Sequence, residues 1–334
     1  MRPCSVSVGS KRHVHAQQHI VTLTATGHRP CILCRGSASQ QVSPATRGRS
    51  KDLQPPYNVV ITGGTKGVGK ALATEFLRAG DSVVICSRSG DNVQSVVREL
   101  DGLAKSSEGS IQGKACNVAK SGDVGSLANY ARDTLGTVDL WINNAGSNAY
   151  KYKTLSESTD ADLIRIVETN VLGTMLGCKE AIRIMREQTA GGHIFNMDGA
   201  GADGGATPRF AAYGATKRSL AQLSKSLQAE LKLLNISNVG IHNLSPGMVT
   251  TELLMAGADT PTAKFFINCL AEPAEEVAQY LVPRIRKVPQ EARSIGGSMS
   301  QGTYIKYLTK TKAYSQIIAR LVTGARKNRF VSEE

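Results

Sequence analysis

The sequence predicts an α/β fold: a single doubly wound parallel sheet with helices on both faces, followed by a C-terminal amphipathic helical extension. Three observations predict it. The β-branched run Val59-Val60-Ile61-Thr62 breaks into Gly63-Gly64-Thr65-Lys66-Gly67-Val68-Gly69, and a helical pattern (Ala71, Leu72, Phe76, Leu77) follows at once. Short apolar runs then alternate with helical segments as far as residue 243. Those runs are almost continuously apolar, which is the mark of strands covered on both faces. Strand, glycine turn and helix together open a Rossmann-type dinucleotide-binding unit.

The elements follow in order. Residues 1 to about 50 are rich in Ser, Thr, Ala, Arg and His and contain no acid. Such a composition belongs to an organelle transit peptide, plastid rather than mitochondrial because Ser and Thr abound; an ordinary basic tail is the alternative. Pro55-Pro56 marks the start of the folded body. After the first strand come Val83-Val84-Ile85-Cys86, a third strand ending at Ala115, Val138-Asp139-Leu140-Trp141-Ile142, His193-Ile194-Phe195-Asn196 and Val239-Gly240-Ile241-His242-Asn243. Helices are expected over 92–105, 123–136, 160–188 and 211–234. The expected organisation is a transit segment over 1–50, a nucleotide-binding domain over 55–290 and a basic extension over 291–334.

Charge divides the same way. The chain of 334 residues carries a net charge of +13, yet residues 1–51 hold eight Lys/Arg and no acid, and the middle is near neutral. Nothing in the body interleaves basic and aromatic residues as a nucleic-acid groove would, so no nucleic acid is expected. Residues 303–322 set Tyr304, Ile305, Tyr307, Leu308, Ile317, Ile318, Leu321 and Val322 at helical spacing among lysines and arginines. Such a helix suits an anionic membrane surface or a partner, or packs on its own subunit. No run approaches the roughly 18 apolar residues of a membrane span. The seven cysteines suggest no disulfide framework, and the C-x-x-C of Cys31 and Cys34 sits in a segment with little core-forming pattern. No metal is expected.

Each loop glycine has a task. Gly63 permits the tight turn, Gly67 lets backbone N–H groups approach a pyrophosphate, and Gly69 lets helix and strand lie close. Farther on, Tyr213 and Lys217 stand at i and i+4, on one face of a helix. A tyrosine ordinarily titrates near a pKa of about 10. An ammonium beside it would stabilise the phenolate and make proton exchange with a substrate oxygen feasible. By itself such a pair is usually only a solvated helix face; its place after the fifth strand brings the phenol near the carboxyl ends of the strands.

Together these residues resemble the short-chain dehydrogenase/reductase family. The resemblance spans about residues 57–290. It rests on Thr62-Gly63-x-x-x-Gly67-x-Gly69, Asn143-Asn144-Ala145-Gly146, Asn170, Tyr213-x-x-x-Lys217 and Pro246-Gly247. It implies hydride transfer between NAD(P)H and a carbonyl or alcohol. Tyr213 would protonate the nascent alkoxide, while Lys217 lowers its pKa and holds the nicotinamide ribose. Asn170 would position a water in the proton relay, Asn144 would fix the sheet near the cofactor, and Thr251 would contact the carboxamide. The implied cofactor-binding set also takes in Thr62, Gly63, Thr65, Lys66, Gly67, Val68, Gly69, Arg88, Asn117, Val118, Ala145, Gly146, Pro246, Gly247 and Val249.

Two departures stand out. The family usually carries a serine just after the fifth strand, but here the segment reads Asn196-Met197-Asp198-Gly199-Ala200-Gly201. Asp198 or a backbone N–H would have to substitute, or catalysis would be slow or absent. Asn117 replaces the aspartate that often binds adenine. The second strand ends Cys86-Ser87-Arg88-Ser89 without an acid, and Lys66 sits in the glycine loop. Arg88 and Lys66 would clasp a 2′-phosphate, so NADPH is expected rather than NADH, unless both are merely solvated surface charges.

Within the family, Trp141-Ile142-Asn143-Asn144-Ala145-Gly146-Ser147-Asn148-Ala149-Tyr150 and Gly191-Gly192-His193-Ile194-Phe195-Asn196-Met197-Asp198-Gly199 are similar to a group of plastid reductases, the chlorophyll b reductases of non-yellow-colouring-like type. Gly324-Ala325-Arg326-Lys327-Asn328-Arg329 matches that group as well. This resemblance implies reduction of the 7-formyl group of chlorophyll b or chlorophyllide b. It also implies attachment at the stromal face of the thylakoid, and assembly with itself, a sister reductase or antenna proteins. Leu253, Leu254, Met255, Phe265 and Phe266 would cover a flat macrocycle, or else pack into the core. A plastid 3-oxoacyl-carrier-protein reductase is the enzymatic alternative, though it should keep the serine. A nucleotide-binding subunit supporting a related reductase is the non-enzymatic one.

Overall fold

A computed structural model describes residues 53–294 and 302–333. The transit-like segment and Cys31 and Cys34 lie outside the described residues. Seven strands form one sheet in the order β3-β2-β1-β4-β5-β6-β7, with every neighbouring pair parallel. The strands are β1 (Asn58–Thr62), β2 (Ser82–Ser87), β3 (Ser110–Ala115), β4 (Leu140–Asn143), β5 (Gly192–Met197), β6 (Val239–Ser245) and β7 (Tyr304–Lys306). The main helices between them are α1 (Gly67–Arg78), α2 (Gly90–Ser106), α3 (Ser121–Leu135), α4 (Asp160–Val167), α5 (Gly173–Met185) and α6 (Ala211–Leu233). After β6 come α7 (Glu252–Met255), α8 (Pro261–Leu270) and α9 (Ala274–Ser294), and α10 (Lys310–Thr323) follows β7. β1 lies between β2 and β4, so the chain reverses its direction of winding there. In open α/β sheets the ligand crevice opens at that point, beyond the carboxyl ends of the strands.

Strand alternation divides the core into two layers. Val59, Ile61, Val83, Ile85, Leu140, Ile142 and Phe195 face the layer that holds Leu72, Phe76, Leu281 and Ile285. Val60, Val84, Trp141, Ile194 and Ile241 face the other, with Leu127, Ile184, Met185 and Leu231. Sheet residues buried on either side are what a parallel sheet between two helical layers requires.

Three features were not legible beforehand. Helix α9 presents Val277, Ala278, Leu281, Val282, Ile285 and Val288 to the core, a helical period that Pro283 and Pro289 interrupt in the sequence. Arg286 of this helix donates to Asp81 Oδ1 at 3.1 Å, tying it to the start of β2. Next, the expected helix over 160–188 is helical but contains a π-turn at Glu168–Leu172. Finally, the helix expected to begin at 303 begins only at Lys310, where Thr309 caps it by accepting from the Lys312 amide at 3.2 Å. Residues 304–306 instead form β7 on the edge of β6, with Ile305 buried and its two neighbours exposed. Edge pairing with β6 overrides the helical spacing there, because it satisfies backbone groups that a helix start would leave unpaired. The basic extension is therefore partly sheet.

The β1–α1 crossing tolerates no side chain at Gly69. A Cβ there would stand 2.3 Å from the Gly63 carbonyl oxygen and 2.5 Å from Asn144 Nδ2. Gly69→Ala is expected to destabilise the protein by roughly 1–3 kcal/mol, the usual cost of overpacking. An unchanged urea midpoint would show that helix and strand are not held that close.

Candidate active site

The carboxyl end of β1 is tied to that of β4. Thr62 Oγ1 accepts from the amides of Asn144 and Ala145 at 3.0 and 3.1 Å. Asn144 Nδ2 returns two bonds, to Thr62 O at 2.9 Å and to Gly63 O at 3.2 Å. The glycine turn is thus gripped from the next strand, with Gly63 at φ +66° and Gly67 at φ +53°. No side chain caps α1, and its first turn carries no acid. Its N–H groups face a cleft of about 1060 Å³ lined by the glycine loop. An uncapped helix N-terminus behind a glycine turn suits a pyrophosphate, so the residues present fit a dinucleotide.

The same cleft is lined by Gly63, Thr65, Lys66, Val68, Arg88, Asn117, Val118, Asn144, Ala145, Gly146, Asp198, Tyr213, Lys217, Pro246, Gly247, Val249 and Thr251. Of the residues singled out in the sequence, Thr62 and Asn170 lie beneath this wall, almost wholly buried. Asn170 sits in the π-turn, where such irregularities often serve a site. Its Oδ1 accepts from Ser147 N at 2.8 Å, and its Nδ2 donates to Ser147 O at 2.9 Å and Thr216 Oγ1 at 3.0 Å. The side chain thereby joins the loop after β4 to α6, one residue before Lys217. Asn117 is also occupied locally, its Oδ1 accepting from Ala119 N at 3.1 Å.

Tyr213 and Lys217 come together at the cleft floor, on the first turns of α6. Lys217 is buried, its Nζ donates to Met197 O at 2.9 Å, and it stands 5.6 Å from the Tyr213 ring centre. Burial disfavours the ammonium and brings Lys217 down to about 8, with Asp198 opposing. The expectation that Lys217 makes the Tyr213 phenol more acidic is not met. Burial pushes that phenol up, and Asp198 and Tyr152 push it the same way. Desolvation of the phenolate sets the direction. At neutral pH the proton therefore stays on Tyr213.

Two further residues of the cleft already have partners. Lys66 stands at the cleft wall with its charge already engaged: it pairs with Glu252 of α7 and lies 4.8 Å over the Tyr150 ring. The segment after β6 that lines the cleft through Glu252, Leu253 and Leu254, the lid, captures it because an opposite charge stands within reach. Asp198, directly after β5, is buried and accepts from the Tyr304 hydroxyl of β7. Burial raises its carboxyl, while Tyr304, Ser245, Lys217 and Lys306 draw it back down.

Residues 57–261 match the short chain dehydrogenase family. The chain belongs to that family. It is 56% identical over 298 residues to the chlorophyll(ide) b reductase NOL, chloroplastic, of Arabidopsis thaliana, covering 89% of this chain and 83% of that one. It is also 56% identical over 286 residues to the rice (Oryza sativa subsp. japonica) protein of the same name, covering 86% and 81%. Among solved structures it resembles a short-chain dehydrogenase/reductase from Mycobacterium marinum, with a TM-score of 0.63 and 25% identity over 77% of this chain and 95% of that one. The fold, the family and a nicotinamide-dependent oxidoreductase chemistry follow.

Against that family background, sequence reasoning missed three residues. Tyr152 stacks on Phe210 at 4.7 Å and 6°, and Phe210 stacks on Tyr213 at 4.3 Å and 24°. All three rings line the cleft of this short-chain dehydrogenase. Their separation along the chain left no periodic signal. Tyr304, the third residue missed, was assigned to a helix face by its spacing.

Proposed function

We propose that this protein reduces the 7-formyl group of chlorophyll b or chlorophyllide b to a hydroxymethyl group in the chloroplast. The observation that carries the reaction type is a buried, proton-bearing Tyr213 next to Lys217 on the floor of a dinucleotide-sized cleft. The pigment is supported by the similarity to the two chlorophyll(ide) b reductases, which extends over most of the chain. It is supported too by the stacked Tyr152, Phe210 and Tyr213 rings, which add aromatic surface to the cleft wall.

A bound nicotinamide supplies the hydride. The residues supply the rest. Tyr213, protonated at neutral pH, donates its proton to the oxygen that becomes the alcohol as negative charge develops there. Lys217 Nζ stands 5.6 Å from the Tyr213 ring centre and holds the β5 end through Met197 O. Thr62 and Asn144 keep the glycine loop in position, and Asn170 keeps the loop after β4 against α6. Lys66, paired with Glu252, ties the glycine loop to α7 at the wall of the cleft. Removing the phenol hydroxyl in Tyr213→Phe is expected to lower pigment reduction by roughly 10²–10⁴-fold, the usual worth of a general acid. Pigment chromatography after anaerobic incubation with reduced cofactor measures it; activity retained in that variant defeats the assignment.

For the cofactor we favour NADPH. β2 ends without an acid, and Arg88 lines the cleft while making no ion pair among the described residues. A guanidinium there matches a 2′-phosphate, whereas a carboxylate would repel it. Arg88→Ala should raise KM for NADPH about tenfold while leaving KM for NADH nearly unchanged. Equal effects on both cofactors would place the 2′-phosphate elsewhere.

No described helix is long and apolar enough to cross a membrane. We place the protein at the stromal thylakoid surface through α10, which exposes Tyr314, Ile318, Leu321 and Val322 on one side. Lys310 and Lys327 flank that face with positive charge, as an anionic surface requires. Exposed Ile164, Val167, Leu172 and Met175 on and between α4 and α5 offer a separate surface for self-association or a sister reductase. Paired Leu321→Glu and Val322→Glu changes should weaken binding to anionic lipid vesicles by at least about tenfold, measured by co-sedimentation. Undiminished binding would remove α10 from that role.

A further inference from the structure

We propose that Tyr304 is a positioning residue of the active site: its hydroxyl, delivered by the C-terminal strand β7, holds the Asp198 carboxylate beside the Tyr213–Lys217 pair. The inference rests on the reductase reading above and deepens it. Asp198 belongs to a three-residue span that touches both members of the pair. On one side of it, the Met197 carbonyl takes the Lys217 ammonium at 2.9 Å. On the other side, a Cβ built on Gly199 would stand 2.4 Å from the Tyr213 hydroxyl. The backbone of Asp198 is pinned as well, its amide donating to Leu244 O at 2.8 Å. Only the carboxyl remains to be aimed, and the hydroxyl that takes it comes from β7.

The placement of Tyr304 is a product of the sheet edge. In the parallel register Tyr304 pairs with Asn243 and Lys306 with Ser245 on β6, so Tyr304 arrives at the carboxyl end of the sheet, across β6 from β5. Lys306 Nζ lies 4.1 Å over its ring, and Ser245 and Asp203 are its other polar neighbours. Burial and the Asp198 charge both push the Tyr304 phenol up, so it keeps its proton and acts as the donor. Around Asp198 stand Tyr304, Ser245, Lys217 and Lys306, all of which favour its ionised form against burial. After burial, its charge is a further influence that raises the Tyr213 phenol, alongside Tyr152. A neutral serine at this position would leave Tyr213 without that influence. Loss of the Tyr304 hydroxyl removes a group that favours the Asp198 carboxylate, so Asp198 takes up a proton at higher pH.

The test compares Tyr304→Phe, Asp198→Asn and the double variant in the full-length protein. Two readouts are taken: the pH profile of kcat/KM, and titration of isotope-labelled aspartate carboxyls by NMR without cofactor. The Asp198 signal is assigned by its loss in Asp198→Asn. In Tyr304→Phe its midpoint should rise by roughly one pH unit or more. Any change in kcat/KM caused by Tyr304→Phe should disappear in the Asp198→Asn background. An unmoved Asp198 midpoint overturns the inference. So does a loss of activity from Tyr304→Phe that persists in full in the Asp198→Asn background, since that marks a merely structural strand contact. A shifted midpoint in a protein that reduces no pigment upholds the contact and defeats the reductase reading instead.

Discussion

The close passage of the Gly63 carbonyl against Gly69 is the constraint on which the rest of the molecule depends. It brings the N-terminus of α1 to the carboxyl edge of the sheet, and Asn144 and Thr62 lock it there from the neighbouring strand. Because the lock runs between β1 and β4, it also fixes the crevice at the reversal of strand order. Everything placed around the cleft, from the lid after β6 to the first turn of α6, is aimed at that one edge.

A second layer of the design is electrostatic and comes from burial rather than from any single pair. Tyr213, Lys217 and Asp198 are all nearly free of solvent, so each is pushed toward its neutral form. The Tyr213 phenol accordingly carries its proton at neutral pH, ready for the substrate oxygen. The site therefore combines a proton kept in place by desolvation with a cation whose own pKa, about 8, lies near working pH.

The C-terminal extension is part of this arrangement and not an appendage to it. β7 completes the sheet edge, and Gly247 meets Leu308 so closely that a Cβ there would stand 2.6 Å from Leu308 Cβ. Beyond α10, Arg326 and Arg329 converge on Glu272, and Asn268 accepts from the amides of Phe330 and Val331. These contacts brace the turn between α8 and α9, immediately behind the lid. The basic charge that looked like a tail is thus partly spent on internal ion pairs, while the outer face of α10 stays exposed.

What could be read from the chain alone was whatever depends on local order. The glycine turn, the apolar strands and the i, i+4 spacing of Tyr213 and Lys217 all declare themselves within a few residues, and they lead to the fold, the family and the members of the cleft. Tertiary structure decided what depends on burial and on meetings between distant segments. The direction of the Tyr213 pKa follows from desolvation, which no spacing reveals. The diversion of Lys66 to Glu252 joins residues far apart along the chain, as does the ring ladder that includes Tyr152 and Phe210. Tyr304 shows the limit most plainly: its helical spacing is real, but the unpaired edge of β6 offered its backbone partners, and pairing there carried its hydroxyl to Asp198.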